Sequence, residues 1–233
     1  MRIHRTSLIS ICCFLASAAT ASLAIAAPFT TPVTIDTSTI ATQYGYLDLQ
    51  FNPAVVSGQQ SATATVTNIT GGTDTNPSDS NNGTIGSVTV NPAQPAPLTP
   101  ATTIGFDTSS DSSPNDYTED QTFGSQLTFN VALGGPQIES ANGNGGGTTF
   151  YISILDGSFN SLLPTSDPNG YLGYITIDQN GNVTTHSESA DLTFTQGTSG
   201  GGSVPEPSSM FLLTAGGLGL WTFTRLRAST AKR

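Results

Sequence analysis

Thr122-Phe123-Gly124-Ser125-Gln126-Leu127-Thr128-Phe129-Asn130-Val131-Ala132-Leu133 alternates strictly. Phe123, Leu127, Phe129, Val131 and Leu133 are apolar and odd-numbered, while Thr122, Gln126, Thr128 and Asn130 are polar and even-numbered. A sustained period of two sends successive side chains to opposite faces of an extended chain, so this run predicts a strand with one face in a core and one toward water. Working outward, the same alternation recurs at Leu47/Leu49/Phe51, Ala62/Ala64/Val66, Phe150/Ile152/Ile154, Ile175/Ile177 and Leu192/Phe194, with weaker runs at Val33/Ile35 and Val88/Val90. Asn-Gly pairs begin at Asn82, Asn142, Asn144, Asn169 and Asn180, and supply the positive φ that tight hairpin turns need. Ile175 to Thr184, turning at Asn180-Gly181, is the clearest hairpin. A proline-rich loop over 91–100 and a glycine-rich loop over 134–148 separate the runs, and no segment between the two chain ends carries a helical apolar face. Eight or nine strands with such turns predict an all-β fold, a single jelly-roll-like β-sandwich over 27–196, with a Gly/Ser linker at 197–204.

Charge narrows the function. The 233-residue chain has 6 Lys+Arg against 16 Asp+Glu. The basic residues are Arg2, Arg5, Arg225, Arg227, Lys232 and Arg233, so 6–224 contains no Lys or Arg while every carboxylate falls between Asp36 and Glu206. Such a field repels phosphate backbones and anionic headgroups, which excludes nucleic acid as a partner. Carboxylates with no cation to pair with are also expected to repel one another, raising their pKa values in the folded state. Both cysteines, Cys12 and Cys13, lie in an N-terminal apolar run, which leaves the domain without a disulfide framework or a thiolate for metal or nucleophilic chemistry.

The two ends have the form of addresses. Met1 to Arg5 is a short basic region, Leu8 to Ala19 is apolar, and Ala24-Ile25-Ala26 is a small-x-small pattern, which together predict a signal peptide over 1–26, cut after Ala26 by signal peptidase on the general secretion route. At the other end, Met210 to Phe223 is apolar but spans only about 21 Å as a helix against a hydrocarbon core of about 30 Å. The basic tail 225–233 follows it directly. The positive-inside rule therefore puts this tail in the cytoplasm and everything before Met210 outside, with the inner membrane holding the chain through a short transmembrane helix.

Val204-Pro205-Glu206-Pro207, the apolar stretch containing Gly216-Gly217-Leu218-Gly219-Leu220, and the Arg-bearing end resemble the PEP-CTERM sorting signal. The resemblance covers about the last 30 residues, 205–233 with its lead-in Val204. It implies an exosortase as partner, a membrane-embedded protease that recognises Pro205-Glu206-Pro207, in Gram-negative bacteria that make exopolysaccharide. The tail departs from the tight basic cluster of that signal, because Leu226 separates Arg225 from Arg227. Asn115-Asp116-Tyr117, with Phe123 to Phe129 and Phe150 to Asp156, is in turn similar to the β-sandwich ectodomains that often accompany such signals.

Candidate chemistry in the domain is sparse. Gly197-Thr198-Ser199-Gly200-Gly201 matches G-x-S-x-G in letters but lies in the linker, with no helix after it to build a nucleophile elbow. His186, the only histidine after position 4, sits in a polar run. Trp221 falls in the C-terminal segment, so sugar stacking would rest on Tyr44, Tyr46, Tyr117, Tyr151, Tyr171 and Tyr174. No catalytic set emerges, and a non-enzymatic role is expected. The densest oxygen cluster is Asp107, Asp111, Asp116, Glu119 and Asp120, read as a loop before the longest strand and a candidate Ca²⁺ site, with a second oxygen-rich loop over 74–82. The expectation is an exported cell-surface or extracellular-matrix protein, structural or adhesive in an exopolysaccharide biofilm. The alternatives are a calcium-dependent polysaccharide-binding module and a secreted hydrolase.

Overall fold

A computed structural model of the chain describes residues 28–195, apart from 75, 77, 78, 94–96 and 110–113. The strand predicted at 122–133 is the C-terminal part of a 20-residue strand, β7 (Asn115–Gly134). The sequence placed Asp116, Glu119 and Asp120 in a preceding loop, but the buried odd-numbered pattern runs back through Glu119 and Tyr117 to Asn115, so all three lie within the strand. Around β7 stand β1 (Phe29–Asp36), β2 (Tyr44–Pro53), β3 (Thr63–Thr73), β4 (Gly83–Ile85), β5 (Val88–Asn91) and β6 (Thr103–Asp107). β8 (Thr148–Leu155), β9 (Gly173–Ile177), β10 (Val183–Ser187) and β11 (Leu192–Phe194) follow. β4 and β6 are the additions to the expected set. β4 is short and exposed, and β6 offers only Ile104 and Phe106 around Gly105, too little alternation to announce a strand.

Twenty extended residues reach about 66 Å, more than twice the radius of gyration of about 15 Å expected for a domain of this size, so β7 must bend to stay within it. Its partners change where it bends. Residues 115–122 pair with β2 on one edge and, at 116–118, with β4 on the other. Residues 126–134 pair with β1 and, mainly, β3. β1 and β2 run successively along one edge, separated by a 3-10 turn at Ser38–Ile40, and Thr37 and Thr42 donate to the Ser125 and Phe123 carbonyls across the bend. On the other edge, β3 makes the same passage through register shifts between Thr67 and Gly72. Gly71 is required there, since its φ is +99° and a Cβ would run into the Gln126 carbonyl.

The result is one antiparallel hydrogen-bonded sheet of 11 strands, folded through β7 into two layers. One layer reads β10-β9-β8-β2-β7-β4 and the other β11-β1-β7-β3-β6-β5, each containing one half of β7. Their inner faces meet in a core that holds Leu47, Leu49, Phe129, Val131, Ile152 and Ile175. Phe51 and Phe150 of the first layer pack against Phe106 of the second at 6.3 and 5.6 Å between ring centres. Each such fully buried side chain contributes roughly 1.5–3 kcal/mol of transfer free energy. The all-β sandwich is as predicted, and the hairpin between β9 and β10 turns at Gly181, whose φ is +80°. The glycine-rich loop holds a four-residue helix, α1 (Pro136–Glu139), braced by buried Gln137, which accepts from the Thr148 hydroxyl at 2.6 Å. Among the described residues no helix is long and apolar enough to cross a membrane, and the span expected at 210–223 lies outside them.

Candidate functional site

The acidic residues of β7 fall into two groups according to what reaches them: loop 74–82 meets Glu119 and Asp120, and β2 brings Asp48 to Asp116. Between the end of β3 at Thr73 and the start of β4 at Gly83, the edge of β7 is met by loop 74–82 rather than by a strand. Asp120 holds that loop: its N–H donates to Asn82 Oδ1 at 2.7 Å, and its carboxylate accepts from Asn82 Nδ2 at 2.5 Å and the Asn76 N–H at 3.2 Å. Asp74 accepts from the Asn76 N–H at 2.9 Å. Carboxylate oxygens of Asp74, Glu119 and Asp120 all lie within 4.8 Å of one another, with Glu119 and Asp120 buried and Asp74 half-buried. Burial, then the charge of Asp120, pushes the Asp74 carboxyl above the usual carboxylate range. Such an oxygen cluster could hold a hard cation.

Of the five acids proposed from sequence, Glu119 and Asp120 thus come together. Asp107 lies at the end of β6 and accepts from the Ser109 N–H at 2.8 Å. Asp111 lies outside the described residues. Asp116 faces Asp48 on β2, one of the diagonal pairs across the β2–β7 ladder. Asp74, from the second oxygen-rich loop, is the group that sequence reasoning left in a separate place; its signal was composition alone, and only the register of β3 with β7 brings it to Glu119.

Asp48 is 5% exposed and accepts from Gln50 Nε2 at 3.1 Å. Burial first, then its neighbour Asp116, pushes its carboxyl up to about 8. Strand register sets a row across the outer face of this layer, in which His186, Tyr174, Tyr151, Gln50, Asp116 and Ile85 stand on six adjacent strands. Tyr151 stacks on Tyr171 at 4.3 Å, and Tyr174 on His186 at 4.7 Å. His186 Nε2 meets the Thr184 hydroxyl at 3.3 Å. Ser199 lies outside the described residues.

A second aromatic group forms beside loop 74–82. Tyr44 and Tyr46 meet edge to face at 5.5 Å, and Phe159, from the turn after β8, lies over Tyr46 at 5.9 Å with an 18° interplanar angle. Asp79 accepts from the Tyr44 hydroxyl at 2.8 Å and the Tyr46 hydroxyl at 3.3 Å, and Asn81 Nδ2 donates to the Tyr46 oxygen at 3.0 Å. The Asn81 backbone N–H, then the Tyr44 hydroxyl, hold the Asp79 carboxyl below the usual range. Burial, then the Tyr46 and Asp79 contacts, raise the Tyr44 phenol. Phe159 has φ +62°, a region costly for a bulky L residue by about 1–3 kcal/mol, and is 54% exposed. Asp156 fixes this turn by accepting from the Ser158 and Asn160 N–H groups at 2.8 and 2.9 Å.

The PEP-CTERM protein-sorting motif matches residues 203–227, which lie outside the described residues. That segment contains Val204, Pro205, Glu206 and Pro207, the apolar stretch, and Arg225 and Arg227. No curated protein and no solved structure matches the chain. The motif identifies an exported protein with a transient C-terminal membrane anchor and an exosortase as its processing partner.

Proposed function

We propose that this PEP-CTERM protein is a non-enzymatic structural or adhesive component, displayed at the cell surface or released into an exopolysaccharide matrix once the exosortase has acted. The sorting motif supports the reading, because removal of its membrane anchor would free the exported domain for the cell surface or the matrix. Signal peptidase would first remove 1–26, leaving the sandwich outside the inner membrane and the basic tail inside. The test is mass spectrometry of the extracellular fraction from a host with exosortase. The secreted form should lack 1–26 and the segment after Pro207, and peptides containing Trp221 in that fraction would overturn processing.

A second reading, a calcium-dependent polysaccharide-binding module, is favoured by the Asp74, Glu119 and Asp120 carboxylates within 4.8 Å of one another in a domain whose sequence supplies no Lys or Arg. A cation there would tie loop 74–82 to β7. Retention of the protein on isolated exopolysaccharide, lost with chelator and restored by CaCl₂, supports this reading, and retention unaffected by chelator opposes it.

A further inference from the structure

We propose that the exposed rings of Phe159 and Tyr44, with Tyr46 buried beneath Phe159 and Asp79 and Asn81 at the rim, form a subsite that seats one pyranose ring of an uncharged polysaccharide. The proposal rests on the polysaccharide-binding reading and names the place and the class of glycan. Phe159 is the only exposed phenylalanine among the described residues. Its exposure and its left-handed backbone both work against stability, yet the turn is fixed by four hydrogen bonds: two to the Asp156 carboxylate, one from the Phe159 N–H to the Asp156 carbonyl and one from the Asp156 N–H to the Asn160 carbonyl. A tight turn that needs positive φ is ordinarily given to Gly or Asn. A phenylalanine held there, with one face over Tyr46 and more than half its surface in solvent, presents a rigid ring at no further ordering cost when a ligand arrives.

The surroundings select the ligand. Asp79, the Tyr44 hydroxyl and the Asn81 amide bring acceptors and donors to the rim of the rings, the arrangement that meets a sugar whose C–H face packs on an aromatic while its hydroxyls hydrogen-bond beside it. With a carboxylate at the rim and no Lys or Arg from 6 to 224, anionic chains are repelled. Phe159 and the 39% exposed Tyr44 make a patch far below the roughly 800 Å² that each partner of a stable protein pair buries. The patch fits one sugar unit, and repeated weak contacts along a polymer would supply avidity.

The test uses the full chain in mild detergent with CaCl₂ present, with cellohexaose, maltohexaose and xylohexaose as neutral probes and polygalacturonate as the anionic one, read by affinity electrophoresis and calorimetry. At least one neutral probe should bind, and polygalacturonate should not. Phe159→Asn suits the positive φ, so it should keep or raise the melting temperature while weakening binding about tenfold, the loss of one ring contact. Tyr44→Phe should weaken binding less and leave the fold intact. If a neutral probe binds but Phe159→Asn stays within about twofold of the parent, the subsite is overturned while the polysaccharide-binding reading stands. If the parent binds polygalacturonate but no neutral probe, the subsite is overturned while the polysaccharide-binding reading stands, and if it binds none of the four, both fall. A Phe159-dependent dimer in solution would assign the patch to a second copy and overturn the proposal.

Discussion

At the scale of single residues, the absence of cations from 6 to 224 is answered by neutral hydrogen-bond donors, backbone N–H groups and nearby Ser and Asn side chains. Asp36, Asp79, Asp156 and Asp178 each accept hydrogen bonds from residues two to four further on, and these hold all four carboxyls below their ordinary values. For Asp36 it is the Ser38 side chain first and then its backbone N–H, for Asp178 the Asn182 side chain first, and for Asp79 and Asp156 the backbone N–H groups of Asn81 and Asn160 first. General repulsion raising most carboxylates is therefore not what the fold does. Raised carboxyls include Asp48, through burial and Asp116, and Asp74, through burial and Asp120. For Asp48, with its folded value at about 8, the destabilisation is full above that pH and is relieved as pH falls toward the ordinary carboxylate range. The lowered group contributes stability above its ordinary pKa and loses it as pH falls further. Melting temperature should thus rise from pH 8 to about 5 and drop below about 4. Asp48→Asn, which keeps the Gln50 contact available, should raise the melting temperature at pH 8 and flatten the upper limb; an unchanged limb would remove Asp48 as its cause. Phe159→Gly should leave stability equal or higher, through relief of its left-handed backbone.

At the scale of elements, β7 and loop 74–82 matter most. Because both halves of β7 share one buried odd-numbered face, Phe129→Ala should cost about 3–5 kcal/mol, read as a lower denaturant midpoint at unchanged slope. Gly71→Ala should also destabilise, since the Gln126 carbonyl occupies the space of a Cβ. For the loop, CaCl₂ should raise the melting temperature beyond NaCl at matched ionic strength if Asp74, Glu119 and Asp120 hold the ion, and Asp120→Asn should abolish the difference. Equal effects of the two salts would remove the calcium site. Most strands were legible because period-two alternation is a local signal, as in Leu47/Leu49/Phe51 and Phe150/Ile152/Ile154. β4, β6 and the start of β7 were not: β4 is short and exposed, β6 has only Ile104 and Phe106 around a glycine, and in β7 Glu119 and Gln121 are buried polar residues at positions where alternation predicts apolar ones.

At the scale of the whole molecule, the sorting segment and the sandwich do separate work. Replacing Pro205 and Pro207 together by Ala should retain the protein in the inner membrane with its domain outside, as should deletion of the exosortase, and fractionation with external protease reads both. Release of the double variant at the parental level would sever sorting from the motif. The sequence by itself determined what depends on order along the chain: the PEP-CTERM signal at 203–227, whose parts are contiguous, most strands with their turns, and the charge pattern, with no Lys or Arg from 6 to 224. Only the tertiary structure decided what depends on registers between distant segments. It placed Asp74 beside Glu119 and Asp120, set Asp48 against Asp116, and laid Phe159 over Tyr46, because side chains more than 40 residues apart, as Asp74 and Glu119 are, meet only once β7 has bent and β2, β3 and β8 have taken their places around it.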